Sequence, residues 1–372
     1  MFKLVGPSDE TRGMSRTALI AVAIAGLFAL AVVAVARLGL LPDLPKRPAN
    51  LEVGGVLVDT LGLEGRAVFA DPGLGRITDL HPHGFDGSGC GLVVGQRGAA
   101  WVGGDGCVPR RISFEADGTH VDAVDWDGDD APEFLSRGEW CCLPFLLDDS
   151  GRLIWQFERG ERDAVNDTAV LRDANGQTDL VVTFNGGSGL LRVSADGSER
   201  WQREDGNVWQ VATIDADGDG RAEIAHSNAA GALVLRDADG EILSETRPEG
   251  YFSDFSTVAG MTPPAVSHVE DGRILIIGLD GRTRRTYEKG WAFDQAEPRI
   301  MVLHPEGPEH GPWLVALLSS RLFDRSVLAV HDASGHPAYV AVLEEPCQAI
   351  APLGARSFWV GCGSHVTAYD IP

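Results

Sequence analysis

The sequence predicts an all-β fold: a seven-bladed β-propeller preceded by a single transmembrane helix. Three observations in its 372 residues carry that prediction. A glycine-closed turn recurs at a nearly constant interval. Two acidic loops precede such turns in fixed phase. One long uncharged run lies near the N-terminus.

The turn is small and polar, ends in Gly and follows an apolar run. Its instances are FLLDDSGRLIWQF, LLRVSADGSERWQ, LVLRDADGEILSE, ILIIGLDGRTRRTYE and VLAVHDASGHPAY. The glycines are Gly151, Gly197, Gly240, Gly281 and Gly335, spaced 46, 43, 41 and 54 residues apart. Asp-Gly and Ser-Gly between alternating runs mark β-hairpins, because such turns need positive φ. Trp155, Trp201 and Tyr339 each follow a turn glycine by four residues and read as packing residues between sheets.

Residues 125–133 read DWDGDDAPE and residues 215–223 read DADGDGRAE. Each places carboxylates at positions 1, 3, 5 and 9: Asp125, Asp127, Asp129 and Glu133, then Asp215, Asp217, Asp219 and Glu223. Carboxylates two apart share a face of an extended strand but stand about 6.5–7 Å apart. They converge only if the backbone curls, which Gly128, Gly218 and Gly220 permit. A tight loop of converging oxygens suits Ca2+, which takes about 6–8 oxygen ligands in flexible geometry. The helix-flanked, twelve-residue EF-hand is excluded, because the last acid comes at position 9 and the flanks are short β-type runs. A third, shortened stretch, DANGQTD at 173–179, keeps Asp173, Asn175 and Asp179 as weaker candidates.

Asp125 lies 26 residues before Gly151, and Asp215 lies 25 before Gly240. Each unit therefore reads strand, loop, strand, strand, turn, strand. That is a four-stranded meander of propeller-blade size. Counting gives blades near 76–116, 119–160, 163–204, 207–248, 253–290, 297–343 and 346–372. Counts of six or eight also fit the period. The last blade is one strand short, and the segment around 52–70 is expected to supply it. That exchange would close the ring and remove an exposed sheet edge.

Residues 18–36, ALIAVAIAGLFALAVVAVA, are uncharged and mostly apolar, about long enough to span a bilayer. Ala34-Val35-Ala36 also resembles a signal-peptide cleavage site, but signal cores are usually shorter. The expected organisation is a short cytoplasmic N-terminus (1–16), a transmembrane signal anchor (17–37), a stalk with three prolines (38–50) and the propeller (51–372). The six cysteines, Cys90, Cys107, Cys141, Cys142, Cys347 and Cys362, form no CxxC pair. An even count behind a membrane-targeting segment points to disulfides in the periplasm or extracellular space. Cys90 with Cys107 and Cys347 with Cys362 fit neighbouring strands, leaving Cys141–Cys142 as a vicinal pair. The net charge of −23 argues against a nucleic-acid partner.

DADGDGRAEI at 215–224 resembles the signature of FG-GAP or VCBS repeats, the calcium-loop blades of integrin-α-like propellers. DWDGDDAPEF at 125–134 is similar to it, and DANGQTDLVV at 173–182 resembles it with a deletion. The resemblance implies Ca2+ as cofactor, held by the eight carboxylates named above with a backbone carbonyl near Ala131 or Arg221. Position 9 is Glu here, where that family more often has Asp. The strong motifs cover two blades. The hairpin turns also resemble those of quinone-dependent dehydrogenase propellers, some with a vicinal disulfide like the one Cys141–Cys142 would form.

No nucleophile elbow, HExxH or phosphate-binding loop occurs. His81-Pro82-His83 offers a short histidine spacing that reads first as an exposed turn. Catalytic residues are unassigned. Two function classes follow: a membrane-displayed adhesion, binding or scaffold module for a protein or glycan, and, as the alternative, a propeller enzyme such as a polysaccharide lyase or hydrolase or a quinone-type dehydrogenase.

Overall fold

A computed structural model describes residues 55–372 except 86–88, 104–106, 139–141, 159, 161, 173–175, 195, 271, 289–296, 306–310 and 321–323. The expected anchor, stalk and N-terminus lie outside the described residues, as do Cys141, Asp173 and Asn175. Among the described residues, no helix is long and apolar enough to cross a membrane.

The described chain is built of antiparallel strands. They form five four-stranded sheets and one nine-stranded sheet. The larger sheet resolves into two meanders, 255–288 and 297–343, joined by a short parallel pairing of Val258 with Ile300 and Ala259 with Met301. Its ninth strand is β1 (Gly55–Asp59), which pairs antiparallel with the Pro337–Leu343 strand. Seven blades result among the described residues: 77–113, 121–156, 164–203, 211–246, 255–288, 297–343 and 347–370.

Blade 7 has three strands of its own. The fourth is β2 (Gly65–Ala70), which pairs Gly65 with Tyr369 and Ala70 with His365. The expected exchange is therefore present, with one difference. Only the RAVFA half of segment 52–70 completes blade 7. The earlier half, as β1, adds a fifth strand to blade 6. That blade's fourth strand, PAYVAVL, is apolar and buried, unlike the exposed fourth strands of blades 1 to 4, so its open edge needs a cover.

Packing closes the ring. Seven apolar clusters correspond to seven seams between neighbouring blades. The seam between blades 7 and 1 joins Trp359 and Ala349 to Ile77 and Val93. The seam between blades 1 and 2 joins Trp101 and Leu92 to Phe134 and Phe145. Phe134, Phe184, Phe252, Phe255 and Phe358 are fully buried in these seams. Each contributes about 1.5–3 kcal/mol by leaving water.

The recurrent turns form as the sequence predicts. Gly151, Gly197, Gly240, Gly281 and Gly335 take φ of 83°, 83°, 82°, 76° and 88°. The N–H of Gly151 bonds to the carbonyl of Asp148, and the Asp148 carboxylate accepts from the N–H groups of Ser150 and Arg152. Trp155 packs against the next blade's turn at Gly197, and Trp201 against Gly240. The Trp201 indole N–H donates to the Ala238 carbonyl at 2.9 Å.

The first strands line the axis, and outside the short pairing between blades 5 and 6 each has one edge with no partner strand. Side chains of the preceding blade supply acceptors there. Asp79 Oδ2 accepts from Ala123 N–H at 3.0 Å, Asp167 Oδ2 from Val211 N–H at 3.1 Å, and Gln210 Oε1 from Phe255 N–H at 2.6 Å. Leaving such buried donors unpaired would cost about 1–3 kcal/mol each. Cys90–Cys107 and Cys347–Cys362 are disulfide-bonded, the second pair directly opposed on adjacent strands. Cys142 is also a half-cystine.

Candidate functional sites at the acidic loops and the channel wall

The acidic loops join the first and second strands of blades 2 and 4, the Val121–Val124 and Glu133–Ser136 pair and the Val211–Ile214 and Glu223–Ser227 pair. The loops are near copies. Gly128 N–H donates to Asp125 Oδ1 at 2.8 Å, and Gly218 N–H to Asp215 Oδ1 at 2.8 Å. Glu133 Oε2 accepts from Trp126 N–H at 2.7 Å, and Glu223 Oε2 from Ala216 N–H at 2.7 Å. Gly128 and Gly218 take φ of 86° and 82°; Asp130 takes 65° where the second loop has Gly220 at 84°.

One oxygen from each of Asp125, Asp127 and Glu133 lies within 4.8 Å of the others, and the same holds for Asp215, Asp217 and Glu223. Asp129 and Asp219 fall outside these triads. Their Oδ1 atoms accept from Ala131 and Arg221 N–H groups at 2.8 Å, which shapes the loop. Burial raises the Glu133 pKa; the Trp126 N–H opposes this, and the charges of Asp127, Asp129 and Asp125 add to it. Glu223 is raised for the same reasons. The donor set is all oxygen, anionic and convergent, which fits a hard divalent cation.

Blade 3 solves the same problem differently. Asp179 is fully buried, and Arg192 Nε donates to its Oδ2 at 2.7 Å. Arg200 approaches the same oxygen at 3.6 Å. The cation at this position is a guanidinium from within the blade. Leu146 and Leu235 hold the matching place, five residues before the turn glycine, in blades 2 and 4.

A second cluster lies on the channel wall, and motif reasoning missed it. Asp79 and His81 come from the first strand of blade 1. Asp122 comes from that of blade 2, flanked by His120 and Arg137, and Asp167 from that of blade 3. His81 Nε2 lies 2.7 Å from Asp79 Oδ2, and His120 Nε2 lies 3.1 Å from Asp122 Oδ1. Arg137 Nε donates to Asp122 Oδ2. Burial would raise the Asp122 pKa, but Arg137 and His120 outweigh it and hold the carboxyl well below its usual range. Burial wins at Asp167, which is raised despite Arg137, the Val211 N–H and Arg299. Burial would lower His81, but Asp79 and Asp122 raise it overall. The signal available in the sequence was a polar residue on, or just before, successive first strands at the blade period: Asp79, Asp122, Asp167 and Gln210. His83, the other half of the short histidine spacing, joins none of these pairs.

A cleft of about 430 Å3 lies away from both sites, between blades 6 and 7, with Glu344, Glu345, His365 and Tyr369 in its lining.

Among solved structures, the chain is similar to BBS1N in complex with ARL6DN, soaked with mercury, at 15% identity and TM-score 0.54, covering 85% of this chain and 98% of that one. It is similar to streptogramin B lyase at 11% identity and TM-score 0.54, covering 83% of this chain and 97% of that one. The fold is that of a β-propeller. At these identities the likeness concerns the propeller fold alone. No family model and no curated protein matches the chain.

Proposed function

We propose that this chain is a calcium-binding β-propeller, anchored in a membrane by residues 17–37 and displayed in the periplasm or extracellular space as a binding or scaffold module. The observation that carries the reading is the near-identity of the loops at Asp125 and Asp215. Asp125, Asp127 and Glu133 would hold one Ca2+, and Asp215, Asp217 and Glu223 another. Asp129 and Asp219 order the loops around them. Bound Ca2+ would supply the positive charge that lets the carboxylates converge, stiffening the connection between two strands. The resemblance to FG-GAP or VCBS repeats supports calcium over other hard cations. The two described disulfides support an oxidising compartment. The partner in this reading is a protein or glycan, and the similar structure of BBS1N in complex with ARL6DN supports a protein.

The test is thermal melting of the full chain in detergent, with Ca2+ or chelator, beside the double variant Asp127→Ala and Asp217→Ala. Calcium at one hundred times its dissociation constant stabilises by about 2.7 kcal/mol. A rise in Tm in the parent and none in the variant is expected. No rise in either would overturn the calcium assignment.

One observation favours the enzyme reading as a second choice. Asp122 and Asp167 are neighbouring channel-wall carboxylates whose pKa values are driven apart, a pattern found in acid–base pairs. Saccharide turnover lost in Asp122→Asn and in Asp167→Asn would select it.

A further inference from the structure

The channel wall across blades 1 to 3 combines features that neither the acidic loops nor packing explain. Its charged groups interleave. Arg137 feels Asp122, Asp167 and Asp79 from three different blades, and Asp167 also feels Arg299 from blade 6. Groups held this way are usually sealed, yet these reach solvent: the side chains of His81, Asp79, Asp122 and Arg137 are 30%, 24%, 17% and 33% exposed. Beside Asp167 on the same strand, Asn166 Oδ1 and Thr168 Oγ1 are buried without a hydrogen-bond partner, and Thr168 is only 2% exposed. Buried polar atoms in native proteins are usually paired, so such a cluster calls for an explanation.

The chemistry of the wall narrows what would dock there. Three carboxylates disfavour an anion. Two guanidiniums disfavour a cation. What the wall offers is a dense mixture of donors (Arg137, His81, His120) and acceptors (the Asp carboxylates) with nearly balanced charge. A neutral ligand carrying many hydroxyls, each both donor and acceptor, matches that mixture.

We propose that this wall is a binding site for a neutral saccharide, held by the partly exposed side chains of Arg137, Asp122, Asp79 and His81. The inference rests on the binding-module reading and names the ligand class for it. Asp122 is a positioning residue as well as a contact, because it fixes both His120 and Arg137.

The experiment is calorimetric titration of the full chain in detergent with cellohexaose and N-acetylchitohexaose. Hexagalacturonate serves as the anionic control and spermine as the cationic one. The key variant is the double substitution Asp122→Asn with Arg137→Gln, which removes both charges of the pair together, so that neither is stranded. Arg152→Gln, on an outer turn, is the control variant. Binding of a neutral hexaose is expected, weakened by at least about tenfold in the double variant and unchanged in Arg152→Gln, with similar Tm throughout. No heat from either neutral sugar at millimolar concentration would overturn the proposal. So would tighter binding of hexagalacturonate or spermine, or unchanged binding in the double variant. Calcium-dependent melting of the same samples separates this failure from failure of the calcium reading. Chromatography of the recovered sugar separates binding from cleavage: cleavage would keep the site and replace the module with an enzyme.

Discussion

The Asp167 carboxylate accepts the backbone N–H of Val211, one blade further on, at 3.1 Å. Asp79 makes the same bond to Ala123, across the same separation of 44 residues. The repeat thus has a polar stitch between first strands as well as an apolar seam. Asp167→Ala is expected to strand the Val211 donor and to lower stability by about 1–3 kcal/mol. Asp167→Asn, which keeps an acceptor oxygen, is expected to lose less. Urea unfolding with an unchanged m-value checks both. Equal losses would show that the charge rather than the hydrogen bond matters.

Two glycines with the same backbone make a matched pair. Gly151 and Gly218 take φ of 83° and 82°. A Cβ on Gly151 would lie 2.5 Å from the Ser113 carbonyl oxygen of blade 1, whereas one on Gly218 meets nothing within 4 Å. Gly218→Ala should cost only the left-handed backbone penalty, about 1–2 kcal/mol. Gly151→Ala should cost clearly more, because backbone atoms of two blades must separate. Chemical denaturation of the two variants side by side reads the difference. Equal costs would mean that the seam between blades 1 and 2 yields without strain.

Blade 4 carries a buried histidine that sets an acid limit. His226 is 1% exposed, with Nδ1 against the Ser227 carbonyl and Nε2 accepting from Arg236 Nε at 3.1 Å. Burial lowers its pKa to about 4 from 6.5, against the pull of Ser227 and Asp205. As pH falls, the unfolded chain therefore takes up this proton first. The stability contribution is complete above about pH 6.5 and is lost progressively towards pH 4, by up to about 3 kcal/mol. The difference in unfolding free energy between parent and His226→Gln, followed from pH 7 to pH 4, should shrink or reverse along that window. A difference that stays constant with pH would sink the assignment.

Much of the fold was legible in the sequence for a physical reason. Positive-φ turns demand glycine, so Gly151, Gly197, Gly240, Gly281 and Gly335 stand out, and their spacing sets the blade size. The acidic loops were legible because convergent carboxylates need an uncommon local pattern. The channel wall was not. Asp79, Asp122 and Asp167 sit singly on three strands, and a lone Asp in a strand carries no motif; only the ring brings them together. The placement of β1 was hidden as well. VGGVLV reads as a strand, but nothing local says that it borders blade 6 while RAVFA completes blade 7. The Arg192–Asp179 pair was masked by likeness, since Asp179 fits the acidic pattern and the arginine that answers it comes from the next strand.

The pairing of Gly65 with Tyr369 has a consequence for biosynthesis. A chain emerging from the ribosome makes β2 long before the strand that receives it. While blades 1 to 6 are being made, blade 7 does not exist and the seams on either side of it, to blades 6 and 1, are open. Blades 1 to 6 can stack as they appear, but the circle locks only once His365 to Tyr369 have emerged. A nascent chain of this kind needs shelter at both open ends, and a lesion in the strand around Tyr369 acts on the strand around Gly65 as much as on its own blade.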